Sequence, residues 1–215
     1  MPALSRRTAT RALAVTAALF VLCTAMSAAG WLNRLDTEVA SEVSRTTGHA
    51  ADVALSLVGF TASVPVSLAW LGLLVVVTQL VRRRRRRALV LAVGVAAGSL
   101  VEVLLKVRLD HPGPVGGSRS IIAFGAEQVG HGSFPSGHML RGTALALGTA
   151  LILAGDRRSS LAVRLIAAAY VVELAWTRVY LNEHWASDVI GGFLLGVAAA
   201  LAVIAVPRLP GRARA

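Results

Sequence analysis

Charge is scarce in this chain. Asp, Glu, Lys and Arg make up 15% of its 215 residues, where a soluble domain carries about 25%. With 55% hydrophobic residues and a mean hydropathy of +0.67, that deficit excludes an ordinary soluble domain and points to a polytopic membrane protein. Cysteine is nearly absent. Cys23 stands alone in an apolar run, which excludes an internal disulfide and reads as a packing residue rather than a reactive thiol. Lysine is as rare, with Lys106 the single lysine among 22 Lys and Arg residues. The net charge of +11 suggests nucleic acid at first sight, but the arginines cluster between apolar segments, where they act as membrane anchors. No folded basic domain is left to bind nucleic acid, so that partner is set aside.

What the chain has in abundance is apolar sequence. Six stretches, at 12–32, 63–81, 88–105, 137–153, 161–177 and 189–206, are near the length of about 20 residues that a spanning helix needs. They predict an all-α, six-transmembrane-helix bundle over 12–206, with a cytoplasmic segment at 1–11 and a basic cytoplasmic tail at 207–215. Six passes put both termini on one side. Arg6, Arg7, Arg11, the run of six arginines at 82–87, Arg157, Arg158, Arg208, Arg212 and Arg214 then all fall on that side, which the positive-inside rule makes cytoplasmic. The run reads as a topology anchor, with anionic-lipid binding as the alternative. His49, His111, His131, His138 and His184 fall on or near the opposite, outer face. The first apolar stretch also has the outline of a signal peptide, though its length favours a retained helix. The stretch 51–60 is too short to span and is expected to lie at the interface or to re-enter. Gly94-x-x-x-Gly98 and Gly192-x-x-x-Gly196 fit the small-residue pattern of close helix packing.

Polar residues at the mouths of apolar helices are costly unless they pair or do chemistry. His184 and Asp188 are four apart, so on a helix they share a face, and Asp188 can hold one imidazole nitrogen while the other attacks phosphorus. A purely structural pair is the alternative. Pro135-Ser136-Gly137-His138 reads as a helix start, with Ser136 as N-cap, Gly137 open to ligand approach and His138 placed to protonate a leaving oxygen. An ordinary capped helix with a surface histidine has the same pattern. Arg178 offers a planar fork for phosphate oxygens, or snorkels at the membrane edge. Lys106 adds a point charge, unless it is spent on Glu102 one turn earlier. Glu173, inside the fifth stretch, is either functional or paired with a nearby arginine.

Together these residues resemble the type 2 phosphatidic acid phosphatase family, related to the vanadium haloperoxidases, whose members carry Lys-x6-Arg-Pro, Pro-Ser-Gly-His and Ser-Arg-x5-His-x3-Asp. The second block is complete at Pro135 to His138. The third is complete from Arg178 to Asp188, with Thr177 in place of serine. The first departs: six residues after Lys106 stands Gly113, followed by Pro114. Arg108, His111 and Arg119 are candidate substitutes for the missing arginine. The resemblance implies that His184 is the nucleophile, Asp188 its orienting partner and His138 the general acid. It implies that Lys106, Ser136, Gly137 and Arg178 bind phosphate. It also implies metal-independent chemistry without a cofactor, in keeping with a sequence that has no carboxylate cluster of the magnesium-binding kind.

The expected protein is a bacterial plasma-membrane phosphatase with its site facing outward. It would act on a lipid-linked phosphate, phosphatidate-like or an undecaprenyl-type diphosphate, through a phosphohistidine. A lipid-phosphate binding or transport protein that lost turnover with the arginine at 113 is the alternative. A vanadate-binding, halide-oxidising relative is set aside because such relatives are soluble.

Overall fold

The computed structural model describes residues 5–45, 48–80, 85–122, 132–153 and 157–206. The first three arginines of the 82–87 run, His131 and the basic tail at 207–215 lie outside the described residues. Among those described, all regular structure is helical. In chain order the helices are α1 (Arg6–Ala28), α2 (Asn33–Ser44), α3 (His49–Phe60), α4 (Val64–Leu80), α5 (Arg85–Arg108), α6 (Gly137–Leu153), α7 (Arg157–Tyr180) and α8 (Ala186–Ala205). Their boundaries follow local chemistry. Ser5 caps α1 by accepting from the Thr8 N–H at 3.1 Å, and Gly30, at a left-handed φ of 72°, follows its end.

Six of the eight helices match the six expected stretches. By length and composition, α1, α5 and α8 are able to cross a membrane. α3 and α4 meet the same measure as a pair bent by 46°, the shape of a broken span or of the re-entrant segment expected at 51–60. α6 is apolar but has only 17 residues, and α7 carries Arg164, Glu173 and Arg178 along its length. The count reached on these grounds is therefore three, or four with the bent pair, rather than six.

End contacts set the helix directions. Arg6 Nε at the start of α1 donates to Ala205 O at the end of α8, at 3.0 Å. Cys23 Sγ, near the end of α1, lies 3.9 Å from Ser187 O at the start of α8. Arg141 Nε in α6 donates to Ala62 O just before α4, at 3.2 Å, and Lys106 near the end of α5 lies beside them through Glu102. Thus α1, α5 and α7 end where α4, α6 and α8 begin. The helices therefore alternate in direction along the bundle, and Arg6, Arg7 and Arg85 to Arg87 stand at the opposite end.

α6 sits at the centre, buried on all sides from Gly137 to Ile152. One apolar cluster joins it to α4, α5 and α8 through Leu71, Leu91, Leu140, Leu145 and Val203. A second joins it to α7 through Met139, Ala146, Val171 and Leu174. Because lipid tails are as apolar as leucine, close packing has to hold such helices together. Both glycine patterns serve it. A Cβ on Gly94 would lie 3.1 Å from Ala199, one on Gly98 3.0 Å from Leu140, and one on Gly192 2.3 Å from the Ser136 carbonyl oxygen.

Candidate active site

The third block forms at the turn from α7 to α8. Asn182, at φ 57°, reverses the chain in a conformation that asparagine tolerates better than most residues. Asp188 falls in the first turn of α8 and is fully buried. Its Oδ2 accepts from the Trp185 N–H at 2.9 Å and from the Ser133 hydroxyl at 2.7 Å, and lies 3.3 Å from His184 Nδ1. The four-residue spacing therefore works differently from the expected shared helix face. His184 precedes the helix, and the carboxylate that caps α8 also orients the ring. With Nδ1–H directed at Asp188, Nε2 carries the free lone pair, and the side chain keeps 11% of its surface open.

His111 adds a contact from the loop after α5. Its Nε2 lies 3.2 Å from Asp188 Oδ1, close enough for charge attraction but not aligned as a hydrogen bond. The Asp188 contact raises the His111 pKa above its ordinary 6.5, with burial opposing it. A histidine raised in this way adds stability that is present in full below the unfolded pKa and is lost as pH rises through the folded one. The melting temperature of the detergent-solubilised protein is therefore expected to fall as pH rises above 6.5. His111→Gln should flatten that fall, and an equal slope in the variant would assign the effect to other groups.

The second block meets the third directly. The Ser136 N–H donates to the Asp188 carbonyl at 3.0 Å, and its hydroxyl accepts from the Met139 N–H at 3.4 Å as the cap of α6. Gly137 has no room for a side chain, since a Cβ would lie 2.0 Å from Glu102 Oε1. His138 follows, half-buried. Arg178, Arg141 and Lys106 are the fixed cations that act electrostatically on its ring, so residues of all three blocks bear on it.

The cations are held by carboxylates. Lys106 donates to Glu102 at 2.9 Å, so the ion pair open at the sequence level is formed. Arg178 is 2% exposed and pairs with Glu183 through Nη1, while its buried Nε has no hydrogen-bond partner among the described residues. It neither snorkels nor faces lipid. Gly59 of α3 makes the room, because a Cβ there would lie 1.8 Å from Arg178 Nη2. Glu183 also accepts from the Ser118 hydroxyl at 3.0 Å, and Asn182 Nδ2 donates to the carbonyls of Val115 and Gly117, both at 3.0 Å. The first-block loop is thereby laced to the third block.

Gly113 is exposed. Two of the three candidate substitutes, His111 and Arg119, are engaged elsewhere. Arg108 is exposed, His111 faces Asp188, and Arg119 lies 3.8 Å from Asp52 with its guanidinium over the Tyr180 ring. Glu173 is exposed on α7, and among the described residues it forms no ion pair.

Sequence reading passes over Ser133, Glu183, Gly59, Asp36 and Arg141. Most carried no signal, because their partners are distant in the chain. Arg141 did carry one, as a charge inside an apolar helix. Asp36 of α2 accepts from the Ser187 N–H at 2.8 Å and from its hydroxyl at 2.7 Å, pinning the start of α8. Burial raises its pKa. Asp36→Ala leaves two buried Ser187 donors unpaired and is expected to cost about 1–3 kcal/mol, read as a lowered detergent melting temperature. Unchanged melting would show that water replaces the carboxylate.

The family model of the PAP2 superfamily matches residues 87–211. No curated protein sequence matches the chain. Two solved structures are similar in fold. The first transmembrane PAP2 type phosphatidylglycerolphosphate phosphatase from Bacillus subtilis superposes with a TM-score of 0.77, covering 89% of this chain and 93% of that one at 18% identity. LpxE of Aquifex aeolicus superposes with a TM-score of 0.57, covering 79% and 94% at 20% identity.

Proposed function

This chain belongs to the PAP2 superfamily, and from that premise we propose that it is a membrane phosphatase acting on a lipid-linked phosphate. The observation that carries the reading is the Asp188 carboxylate, buried and shared by Trp185, Ser133, His184 and His111. It fixes one nitrogen of His184 and leaves the other open at the end of the bundle. In the proposed reaction His184 Nε2 attacks phosphorus and forms an N–P bond. The P–O bond to the lipid breaks, and His138 protonates the departing oxygen. Water, deprotonated by His138, then cleaves the N–P bond and releases inorganic phosphate. Asp188 stabilises the charge that develops on the His184 ring. Lys106, Arg178 and the amides at the start of α6 take the phosphate oxygens. None of these steps calls on a metal or cofactor.

The site lies at the helix ends opposite Arg6 and Arg85 to Arg87. By the positive-inside rule it faces outward across a bacterial plasma membrane, at headgroup depth, where a substrate keeps its tail in the bilayer. Phosphatidate-like lipids and polyprenyl diphosphates such as undecaprenyl diphosphate fit that position.

The test is inorganic phosphate release by purified protein in detergent with chelator present, across phosphatidate, a polyprenyl diphosphate and a soluble phosphate ester. Release from a lipid substrate supports the reading, and release abolished by the chelator overturns its metal-independent chemistry. A second reading, lipid-phosphate binding without turnover, draws on Gly113 and on the carboxylates that hold Lys106 and Arg178. It predicts lipid binding with no phosphate release from any of the three.

A further inference from the structure

Arg141 is a charged side chain in the most buried helix of the bundle, 6% exposed. It lies three residues after His138, on the same face of α6. Its Nη1 lies 3.4 Å from Glu102 Oε2, while Lys106 bonds the other oxygen of the same carboxylate at 2.9 Å. That carboxylate rests against Gly137, at the N-terminus of α6. Two cations and a helix start thus converge on one anionic group. All three side chains are buried, and one carboxylate faces two cations. Buried charge left unbalanced is costly, so the cluster has capacity for a further or more highly charged anion.

We propose that Arg141 is a phosphate-binding residue of this site: its guanidinium and the Lys106 ammonium receive the phosphoryl group that displaces the Glu102 carboxylate from the start of α6. The inference rests on the phosphatase reading above and deepens it. It places in α6 the cationic fork that the loop lacks at Gly113, and it makes Glu102 an internal stand-in for the phosphate. A guanidinium suits the task, since its planar fork matches phosphate oxygens in pairs.

The competing account is structural: Arg141 neutralises Glu102 and ties α6 to Ala62. The two accounts separate in Arg141→Gln, Arg141→Lys, Glu102→Gln and the Glu102→Gln/Arg141→Gln double variant. The readouts are kcat and KM for phosphatidate or whichever lipid the wild type hydrolyses, and inhibition by inorganic phosphate. Arg141→Gln should weaken phosphate inhibition and raise KM, each by about ten- to hundredfold. Arg141→Lys should restore part of both, and Glu102→Gln should tighten phosphate inhibition by removing its competitor. The double variant should stay weak. If it regains wild-type values, or if Arg141→Gln leaves phosphate inhibition unchanged, the proposal is overturned.

Should Arg141→Gln fail to fold, Glu102→Gln decides, and unchanged inhibition there overturns the proposal. Gly113→Arg placed on Arg141→Gln should recover inhibition in part, because a Cβ at 113 meets nothing nearer than Ser133 Cβ at 3.5 Å. The lipid and inorganic arms separate a headgroup from free phosphate. If the wild type releases no phosphate at all, the phosphatase reading falls alone. The shift in melting temperature caused by inorganic phosphate, compared across the same variants, then still decides Arg141.

Discussion

Replacing His184 with alanine is expected to reduce phosphate release by at least about 10³-fold while leaving the fold intact. The imidazole makes one described hydrogen bond, to Asp188, and keeps part of its surface open, so little packing is lost with it. Asp188 retains the Trp185 N–H and the Ser133 hydroxyl, so the cap of α8 survives. Catalysis should not survive, because no other described nucleophile is held in the same place by the carboxylate. The check is release from the preferred lipid beside a melting curve in detergent. A second check is phosphate label trapped on the protein during turnover, expected on the wild type and absent from the variant. Label on His184→Ala, or turnover within about tenfold of wild type, would remove His184 as the nucleophile. Asp188→Asn serves as the companion, since it leaves most of the shape in place but no longer selects the His184 tautomer.

The other large effect is expected from a single methyl group. In Gly192→Ala the new Cβ would lie 2.3 Å from the Ser136 carbonyl oxygen and 2.9 Å from Met139 Cβ. The first of these is backbone and cannot rotate away, so α8 must move off α6. That movement separates Ser136 from Asp188, whose backbones are bonded at 3.0 Å, and pulls the second block from the third. A misplacement of about 1 Å is enough to cost roughly 10²-fold in rate, so activity should fall at least that far and the melting temperature with it. Gly72→Ala is the control. Gly72 lies in the middle of α4, where an added Cβ would meet nothing within 4 Å, and alanine is the better helix former. That variant should keep its activity and melt no lower than wild type. Equal losses in both variants would refute the close-packing account.

The all-helical fold and the approximate extents of six of the eight described helices were legible in the sequence, because the bilayer demands long apolar runs and penalises every polar residue within them. That rule also made the polar blocks conspicuous. Pro135 to His138 and Arg178 to Asp188 stood out since they fall where such runs stop. The count of spans was less secure. α6 is shorter than a spanning helix but is buried by its neighbours, which the apolar pattern does not reveal, and α7 is more charged, with Glu173 on its exposed side. Glycine spacing indicated close packing but named no partner. Only the structure set Gly192 against Ser136 and Gly94 against Ala199.

The sequence by itself therefore determined the all-helical, membrane-type architecture and the identity of the chemical groups at one end of it, since both depend on local composition and spacing. Tertiary structure alone decided how those groups are charged and held. Ser133, His111 and Trp185 meet on Asp188, and Glu102 stands between Lys106 and Arg141. Glu183 takes Arg178 at the bend cleared by Gly59, and Asp36 reaches Ser187 across 151 positions of chain. Contacts of that kind form only when helices distant in sequence pack together, and no local pattern records them.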